Sequence, residues 1–201
     1  MIADIRTKFN ASFSQKSYER FVEAIQHDYP NALDFRVAES PIFVPKALRK
    51  KLIEASEVLI DRIVQPDFMA LTERAIPPLV RVPNENAHTS FLAIDFAVCR
   101  DADGALTPQL IELQGFPSIF CYQHYLSALF SEHYPCLNSL DYLLNCDSAA
   151  DYIEKLRSLI IGDTAPEEVI LLEIFPESQK TRIDFAVTEH LLGVKSVCYT
   201  K

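Results

Sequence analysis

The sequence of 201 residues contains only four glycines, and their positions exclude the common phosphate-binding loops. A Walker A loop and a G-x-G-x-x-G fingerprint both need clustered glycines, so that backbone amides can approach phosphates. The glycines here are dispersed: Gly104, Gly115, Gly162 and Gly193. H-E-x-x-H, EF-hand and G-x-S-x-G patterns are also absent, so the chain carries no short motif of a zincin, a calcium loop or a serine hydrolase.

The sequence also lacks the features of a disulfide framework, a membrane span and a basic surface. Five cysteines without a C-x-x-C pair favour free thiols in a reducing compartment. No apolar run has the length of a signal-peptide core or a membrane span, so we expect a cytoplasmic protein with no membrane partner. A net charge of −9 predicts an acidic surface that repels phosphate backbones, and we expect no nucleic-acid partner.

The N-terminal region, residues 1–78, is predicted to be mainly helical. An amphipathic run after Ser17 predicts a helix that stops at Pro30. A second, longer helix should begin near Pro45, which suits a first turn, and end or kink at Pro66.

The central region, residues 79–166, should begin with a short strand at 79–82. Alternation over 92–99, turn residues at 101–104 and an apolar run at 110–113 together predict an antiparallel β-hairpin. Two helices should follow, one over 122–132 and one capped by Ser148 and closed by Gly162.

The C-terminal region, residues 167–201, predicts a βαβ unit with a right-handed crossover. It comprises a strand at 169–174, typical of a strand covered on both faces, a helix at 181–192 and a strand at 194–199. Two parallel strands and one helix cannot cover both sheet faces unless other strands join them. Either the N-terminal elements supply those neighbours or the native chain continues beyond Lys201, and we favour the second alternative. The whole pattern predicts a mixed α/β (α+β) fold.

The hairpin is predicted to bring two carboxylates face to face. If it turns tightly on Asp103-Gly104, Asp95 lies opposite Glu112 and Ala93 lies opposite Gln114. Like charges in that arrangement are destabilising, so something should compensate them. The register is expected to be fixed by apolar side chains on the opposite face: Ile94, Phe96, Ile111 and Leu113.

A hard cation is the natural compensation for the facing carboxylates. Mg²⁺ binds one or two carboxylates and keeps waters and substrate phosphates as its other ligands. Glu112 and Gln114 are two residues apart on one strand and point the same way, so Asp95, Glu112 and the Gln114 amide oxygen can converge on one ion. The alternative is an ordinary solvated sheet face, on which carboxylates are common.

The passage from Ile94 to Gln114 resembles the hairpin of circularly permuted ATP-grasp ligases, the group that includes glutathionylspermidine synthetase. The family pattern is R-x-D-F, a turn and (I/F)-E-x-N, where this chain has A-I-D-F and I-E-L-Q. Residues 169–194 are similar to the pre-ATP-grasp segment that follows, a strand, a Thr-containing helix start, a helix ending in Gly and a return strand. The resemblance covers roughly residues 91–199.

This resemblance implies that Asp95 and Glu112 contact the metal and the phosphates of Mg-ATP, with Gln114 at the usual Asn position. Ala93 stands at the family's Arg position, so the cation expected to steady a transferring phosphoryl group is missing there. Arg81, Arg100 or a residue beyond this chain would have to replace it.

The chemistry implied by the resemblance is ATP-dependent ligation of a small-molecule carboxylate to an amine, with Mg²⁺ neutralising the phosphates. The permuted order places the nucleotide-clamping lysines after the region present here. This chain alone would then bind nucleotide poorly and catalyse nothing.

The start of the last helix is a second candidate site. Ser178, Lys180 and Thr181 follow a parallel strand, where free amides and the helix dipole favour a nucleotide or substrate anion. The alternative is that Ser178 simply caps the helix. His88 and Glu85, in the loop before the hairpin, are interpreted as loop polarity.

A C-x₂-H-x₈-H-x₂-C spacing superficially resembles a zinc site, formed by Cys121, His124, His133 and Cys136. Apolar and aromatic residues interleave with these four as in a buried helix, which is the interpretation we favour. Three function classes stay open: an ATP-grasp-like ligase or its N-terminal part, a non-catalytic binding module that kept the fold, and an interaction domain whose acidic face pairs with a basic protein.

Overall fold

The computed structural model describes residues 2–84, 86, 89–116 and 119–200. In this part the chain is a mixed α/β fold with seven α-helices, an antiparallel pair of strands and a parallel pair. The α-helices are α1 (Ala3–Ser12), α2 (Gln15–Asp28), α3 (Lys46–Ile63), α4 (Phe68–Thr72), α5 (Phe120–His133), α6 (Ala149–Ile160) and α7 (Arg182–Leu192). The strands are β1 (Ala93–Arg100), β2 (Leu106–Gln114), β3 (Ile170–Glu173) and β4 (Lys195–Cys198).

The chain divides into two compact units. The hairpin unit comprises Val44–Pro117, and the helical unit comprises Ile2–Phe43 together with Ser118–Lys201. Among the described residues, none of the helices combines the length and the apolar character needed to cross a bilayer.

Helix α2 confirms the predicted amphipathic helix but begins earlier than expected. Ser14 rather than Ser17 is its cap: the Ser14 hydroxyl accepts the Ser17 amide at 3.1 Å, and the Ser17 hydroxyl accepts the Ser14 amide at 3.0 Å. This reciprocal pair satisfies two amides at the helix start, so the helix begins at Gln15. Helix α3 begins directly after Pro45, as predicted.

The prediction of a short strand at 79–82 is wrong. Pro78–Val80 forms a short 3₁₀ turn, in which Leu79 is 99% exposed. Pro77 and Pro78 fix their own φ angles and lack the N–H groups that a strand ladder needs, so the apolar pair that follows them has no strand partner in the described chain.

The hairpin of β1 and β2 confirms the central prediction about register. Asp95 pairs with Glu112, and Ala93 pairs with Gln114. The turn is held by Asp101, whose carboxylate accepts the amides of Asp103 at 3.1 Å and Ala105 at 2.8 Å. This Asx arrangement closes the loop without a partner from elsewhere in the chain.

A tight turn on Asp103-Gly104 also implies that Phe96 lies opposite Ile111, and this detail of the register is wrong. Phe96 lies opposite Leu110 instead of Ile111, because Ile111 is an extra residue, a β-bulge, in β2. The loop between Arg100 and Leu106 is centred on Asp103 alone. The pairs near the turn are therefore shifted by one residue from the register that a turn centred on Asp103-Gly104 would give. The bulge shifts them back, and the expected Asp95–Glu112 pair is restored.

Helix α3 supports the hairpin within the same unit. It packs on β2, and the Lys51 ammonium donates to the Leu106 carbonyl at 2.7 Å. Leu48 is the buried anchor of this helix. An isolated hairpin is marginal in water, so the contact with α3 gives this unit the packing that two strands alone lack.

The core of the helical unit is aromatic. Phe21 of α2 packs on Phe130 of α5 with ring centroids 4.5 Å apart, and Phe9 of α1 packs on Tyr134 at 4.8 Å. All four rings are buried. Rings of this size remove large apolar areas from water, so they join the N-terminal helices firmly to α5.

Strands β3 and β4 pair in parallel across α7, which confirms the predicted βαβ unit. Helix α7 ends at Gly193, whose φ of 77° is the left-handed stop expected there. The expectation that β3 is covered on both faces is wrong for the described chain. Ile170, Leu172 and Ile174 are 53%, 55% and 54% exposed, whereas Leu171 and Glu173 between them are half-buried, so only one side of the strand is covered.

Candidate functional site

The paired carboxylates of the hairpin form the principal candidate site. Asp95 of β1 and Glu112 of β2 are directly opposite, and both are exposed. Within the described residues, no lysine or arginine forms an ion pair with either of them. Two opposed carboxylates therefore stand on one sheet face without a neutralising side chain, which is an electrostatically unfavourable arrangement.

The β-bulge lies beside this pair. Ile111, the extra residue of β2, immediately precedes Glu112, and the register changes between Asp95 and Phe96. Bulges bend a strand and redirect its side chains, and they are frequent next to functional sites. Sequence reasoning missed this feature, although the consecutive apolar residues Leu110 and Ile111 interrupt the two-residue period and were a signal for it.

Gln114 contacts Glu112 directly. Its side-chain nitrogen Nε2 donates to Glu112 Oε1 at 2.7 Å. An ionised carboxylate only accepts hydrogen bonds, so the nitrogen of the amide must face Glu112. The amide oxygen of Gln114 is thereby directed away from that contact.

The open end of the hairpin is closed by a threonine. Thr89 Oγ1 lies 2.7 Å from the Phe91 carbonyl and 2.8 Å from the Gly115 carbonyl, so its hydroxyl ties the segment before β1 to the residue after Gln114. A Cβ at Gly115 would lie 3.3 Å from Thr89 Oγ1, so the absence of a side chain at Gly115 lets Thr89 approach its carbonyl closely. His88 and Glu85 lie outside the described residues.

The donor set of the hairpin fits a hard divalent cation. Asp95 and Glu112 supply carboxylate oxygens, and their exposure leaves room for the waters that Mg²⁺ retains. Among the described residues, no group of three or more His, Cys, Asp and Glu side chains is placed to hold a metal. A metal on the hairpin would therefore rely on water and substrate oxygens for its remaining ligands.

Neither candidate replacement for the missing arginine lies at these carboxylates. Arg100 donates to the Gly104 carbonyl at 2.7 Å, at the turn. It is five residues along β1 from Asp95, a separation of roughly 17 Å at 3.3 Å per residue. Arg81 forms an ion pair with Glu73.

The loop between β3 and α7 carries the second candidate set. The Ser178 hydroxyl donates to the Phe175 carbonyl at 3.0 Å and does not cap α7. Thr181 precedes the helix without a side-chain capping bond, and Lys180 is exposed. The start of α7 is thus free of a side-chain cap at the carboxyl end of β3, the edge of a parallel sheet where ligands commonly bind.

Cys198 at the end of β4 was not singled out by sequence reasoning. Its sulfur lies 3.1 Å from Thr200 Oγ1, and hydrogen bonds from the Thr200 hydroxyl and backbone amide lower the pKa of this thiol. No catalytic motif marks the position, although the partner with the largest effect, Thr200, is only two residues along the chain. The hairpin and the loop between β3 and α7 belong to different compact units.

Three residues of the zinc-like spacing lie in α5, as favoured from the sequence, whereas Cys136 lies in the 3₁₀ turn Pro135–Leu137 that follows. Cys121 and His124 are buried in α5, and the His124 ring stacks on Tyr152 with centroids 5.3 Å apart. Burial raises the pKa of the Cys121 thiol to about 11 and lowers the pKa of His124. The described part of the chain brings no three of the four residues together around a metal.

Comparison of the chain with family models, curated protein sequences and solved structures found no match.

Proposed function

We propose that this chain is the N-terminal part of an ATP-grasp-like ligase that joins a carboxylate to an amine at the expense of ATP and Mg²⁺. The observation that carries the proposal is the direct opposition of Asp95 and Glu112 on the hairpin. In the family motif that the hairpin resembles, one acidic position precedes the turn and one follows it, as Asp95 and Glu112 do here.

Pairing Asp95 with Glu112 costs free energy when no cation is present. Like charges directly opposite on a sheet destabilise it by about 0.2–1 kcal/mol. A divalent cation held by the two carboxylates would offset this repulsion, and their exposure would leave the site open to phosphate oxygens. When bound, Mg²⁺ would neutralise phosphate charge during phosphoryl transfer. Asp95 and Glu112 would hold it, and the bulge at Ile111 would fix the direction of Glu112.

The loop before α7 extends the proposal. Ser178, Lys180 and Thr181 would meet phosphate or substrate anions at the uncapped start of the helix. The partners would be ATP and small-molecule carboxylate and amine substrates. The lysines that clamp the nucleotide would come from a part of the protein outside this sequence.

A non-catalytic binding module is the second candidate. Ala93 stands where the motif has an arginine, and the described chain places neither Arg81 nor Arg100 at the carboxylates. Such a module would bind the metal without accelerating phosphoryl transfer, because it lacks the positive charge that stabilises the transition state.

Titration with Mn²⁺, followed by electron paramagnetic resonance of the free ion, tests the metal site. The wild-type chain should bind one Mn²⁺ that Mg²⁺ displaces, and Glu112→Gln should weaken binding at least tenfold. Asp103→Asn is the matched control, since it removes one exposed carboxylate from the turn of the same hairpin and should leave binding unchanged. Equal binding by all three proteins, or binding by none, would contradict the proposal.

Phosphoryl transfer separates the two candidates. A polypeptide extended beyond Lys201 should release phosphate from Mg-ATP only when a carboxylate and an amine are both present. Metal binding with no phosphate release from that longer protein would favour the binding module.

A further inference from the structure

We infer that Gln114 acts on the metal site through Glu112, as a positioning residue that holds the carboxylate with its amide nitrogen, and that it is not a direct metal ligand. This inference rests on the proposed metal site. It departs from the role that the motif implies for this position, in which the amide oxygen contacts the ion.

The contact itself has a defined polarity. Gln114 Nε2 lies 2.7 Å from Glu112 Oε1, and only a donor can approach an ionised carboxylate oxygen so closely. A charge-assisted hydrogen bond of this length is among the stronger side-chain contacts. Turning the amide to offer its oxygen to a cation at Glu112 would break this bond and place two acceptors side by side.

The length of the glutamine explains why it can make the contact. Residues two apart on a strand share a face and are separated by roughly 6.7 Å along it. Glu112 and Gln114 must bridge that spacing with their side chains, and they do so at hydrogen-bond distance. An asparagine at position 114 would be one methylene shorter and would lose this reach.

The bond has a consequence for metal binding. It engages Oε1 of Glu112 and restricts the conformations open to that side chain, while Asp95 stands opposite on β1. A preset carboxylate loses less conformational freedom when a cation binds. Hydrogen bonds of this kind to a ligating carboxylate typically change metal affinity 10–100-fold.

A double-mutant cycle measures whether Gln114 acts through Glu112. Mn²⁺ dissociation constants are compared for the wild type, Gln114→Met, Glu112→Gln and the double variant. Methionine keeps the length of the side chain without a donor or an acceptor. Gln109→Met, an exposed change on the same strand, is the matched control and should leave the dissociation constant unchanged.

We expect Gln114→Met to weaken Mn²⁺ binding about tenfold in the wild-type background, and to have no further effect once Glu112 is Gln. Equal weakening in both backgrounds would show an independent ligand and overturn the inference while leaving the metal site intact. No weakening in either background would overturn it as well. If the wild type binds no Mn²⁺, the proposed function itself fails.

Discussion

Asp184 is a buried carboxylate whose role in the fold can be tested quantitatively. It lies in the first turn of α7, only 7% exposed, and accepts the Tyr122 amide of α5 at 2.8 Å. The amides of Ile119 and Cys121 also donate to it. Helix α5 has no side-chain cap of its own, so a residue more than sixty positions away in sequence satisfies its first amides.

Replacing Asp184 with Ala removes these bonds and leaves buried N–H groups without partners. A hydrogen bond to a charged group contributes about 1.5–3 kcal/mol, and the loss of a helix cap costs about 0.5–2 kcal/mol. A destabilisation of about 3 kcal/mol follows, which lowers Tm by roughly 6–12 °C for a chain of this size. Calorimetry and circular dichroism at several pH values measure it.

Asp184→Asn separates the charge of this residue from its hydrogen bonds. Burial raises the pKa of Asp184 above its ordinary value of 3.8, although the three amides oppose the shift. The folded state therefore holds its proton more tightly than the unfolded state. This contribution to stability is complete below the unfolded pKa and is lost as pH rises through the folded pKa. The Asn variant keeps an acceptor and should lack that decline.

Two results would refute this account of Asp184. One is an alanine variant as stable as the wild type, because α5 would then not need the cap. The other is a wild-type stability that rises with pH relative to the Asn variant over the same window, because the sign of the linkage would then be reversed.

Three further predictions concern other parts of the chain. Arg182→Met removes the 2.9 Å ion pair with Asp34 and should speed proteolysis between residues 30 and 43, with unchanged cleavage counting against the contact. Gly193→Ala should be about 1 kcal/mol more destabilising than Gly104→Ala in chemical unfolding: both have a left-handed φ, 77° and 79°, but only at Gly193 would the methyl meet a close neighbour. Asp95→Asn should raise the metal-free Tm by relieving up to about 1 kcal/mol of repulsion while leaving the bond from Gln114 to Glu112 intact, and a lowered Tm would contradict this.

The elements that sequence reasoning predicted correctly are those specified by local chemistry. Helix α7 was predicted because its signals are local. Apolar residues recur at helical spacing, and Gly193 directly follows the last helical residue. The facing of Asp95 and Glu112 was predicted correctly for a different reason. The turn lies one residue from its predicted register and the bulge at Ile111 shifts the pairing back, so the two departures cancel.

The features that were missed depend on distant partners or on the backbone. The cap from Asp184 to α5 joins residues far apart in the chain, so no local pattern could indicate it. Leu79 and Val80 follow two prolines and form a 3₁₀ turn in place of the predicted strand. No neighbouring strand pairs with them in the described chain. The hydrogen bond from Gln114 to Glu112 required the direction of an amide, which spacing alone does not give.

Mapping where a paramagnetic ion sits on the hairpin tests the central claim most directly. In ¹H–¹⁵N correlation spectra of the chain titrated with Mn²⁺, the account predicts that resonances of Asp95, Glu112 and their neighbours broaden first, and that excess Mg²⁺ restores them. Broadening that instead centres on the turn residues Asp101 and Asp103, or that spreads evenly over the acidic surface, would contradict a metal site at the paired carboxylates.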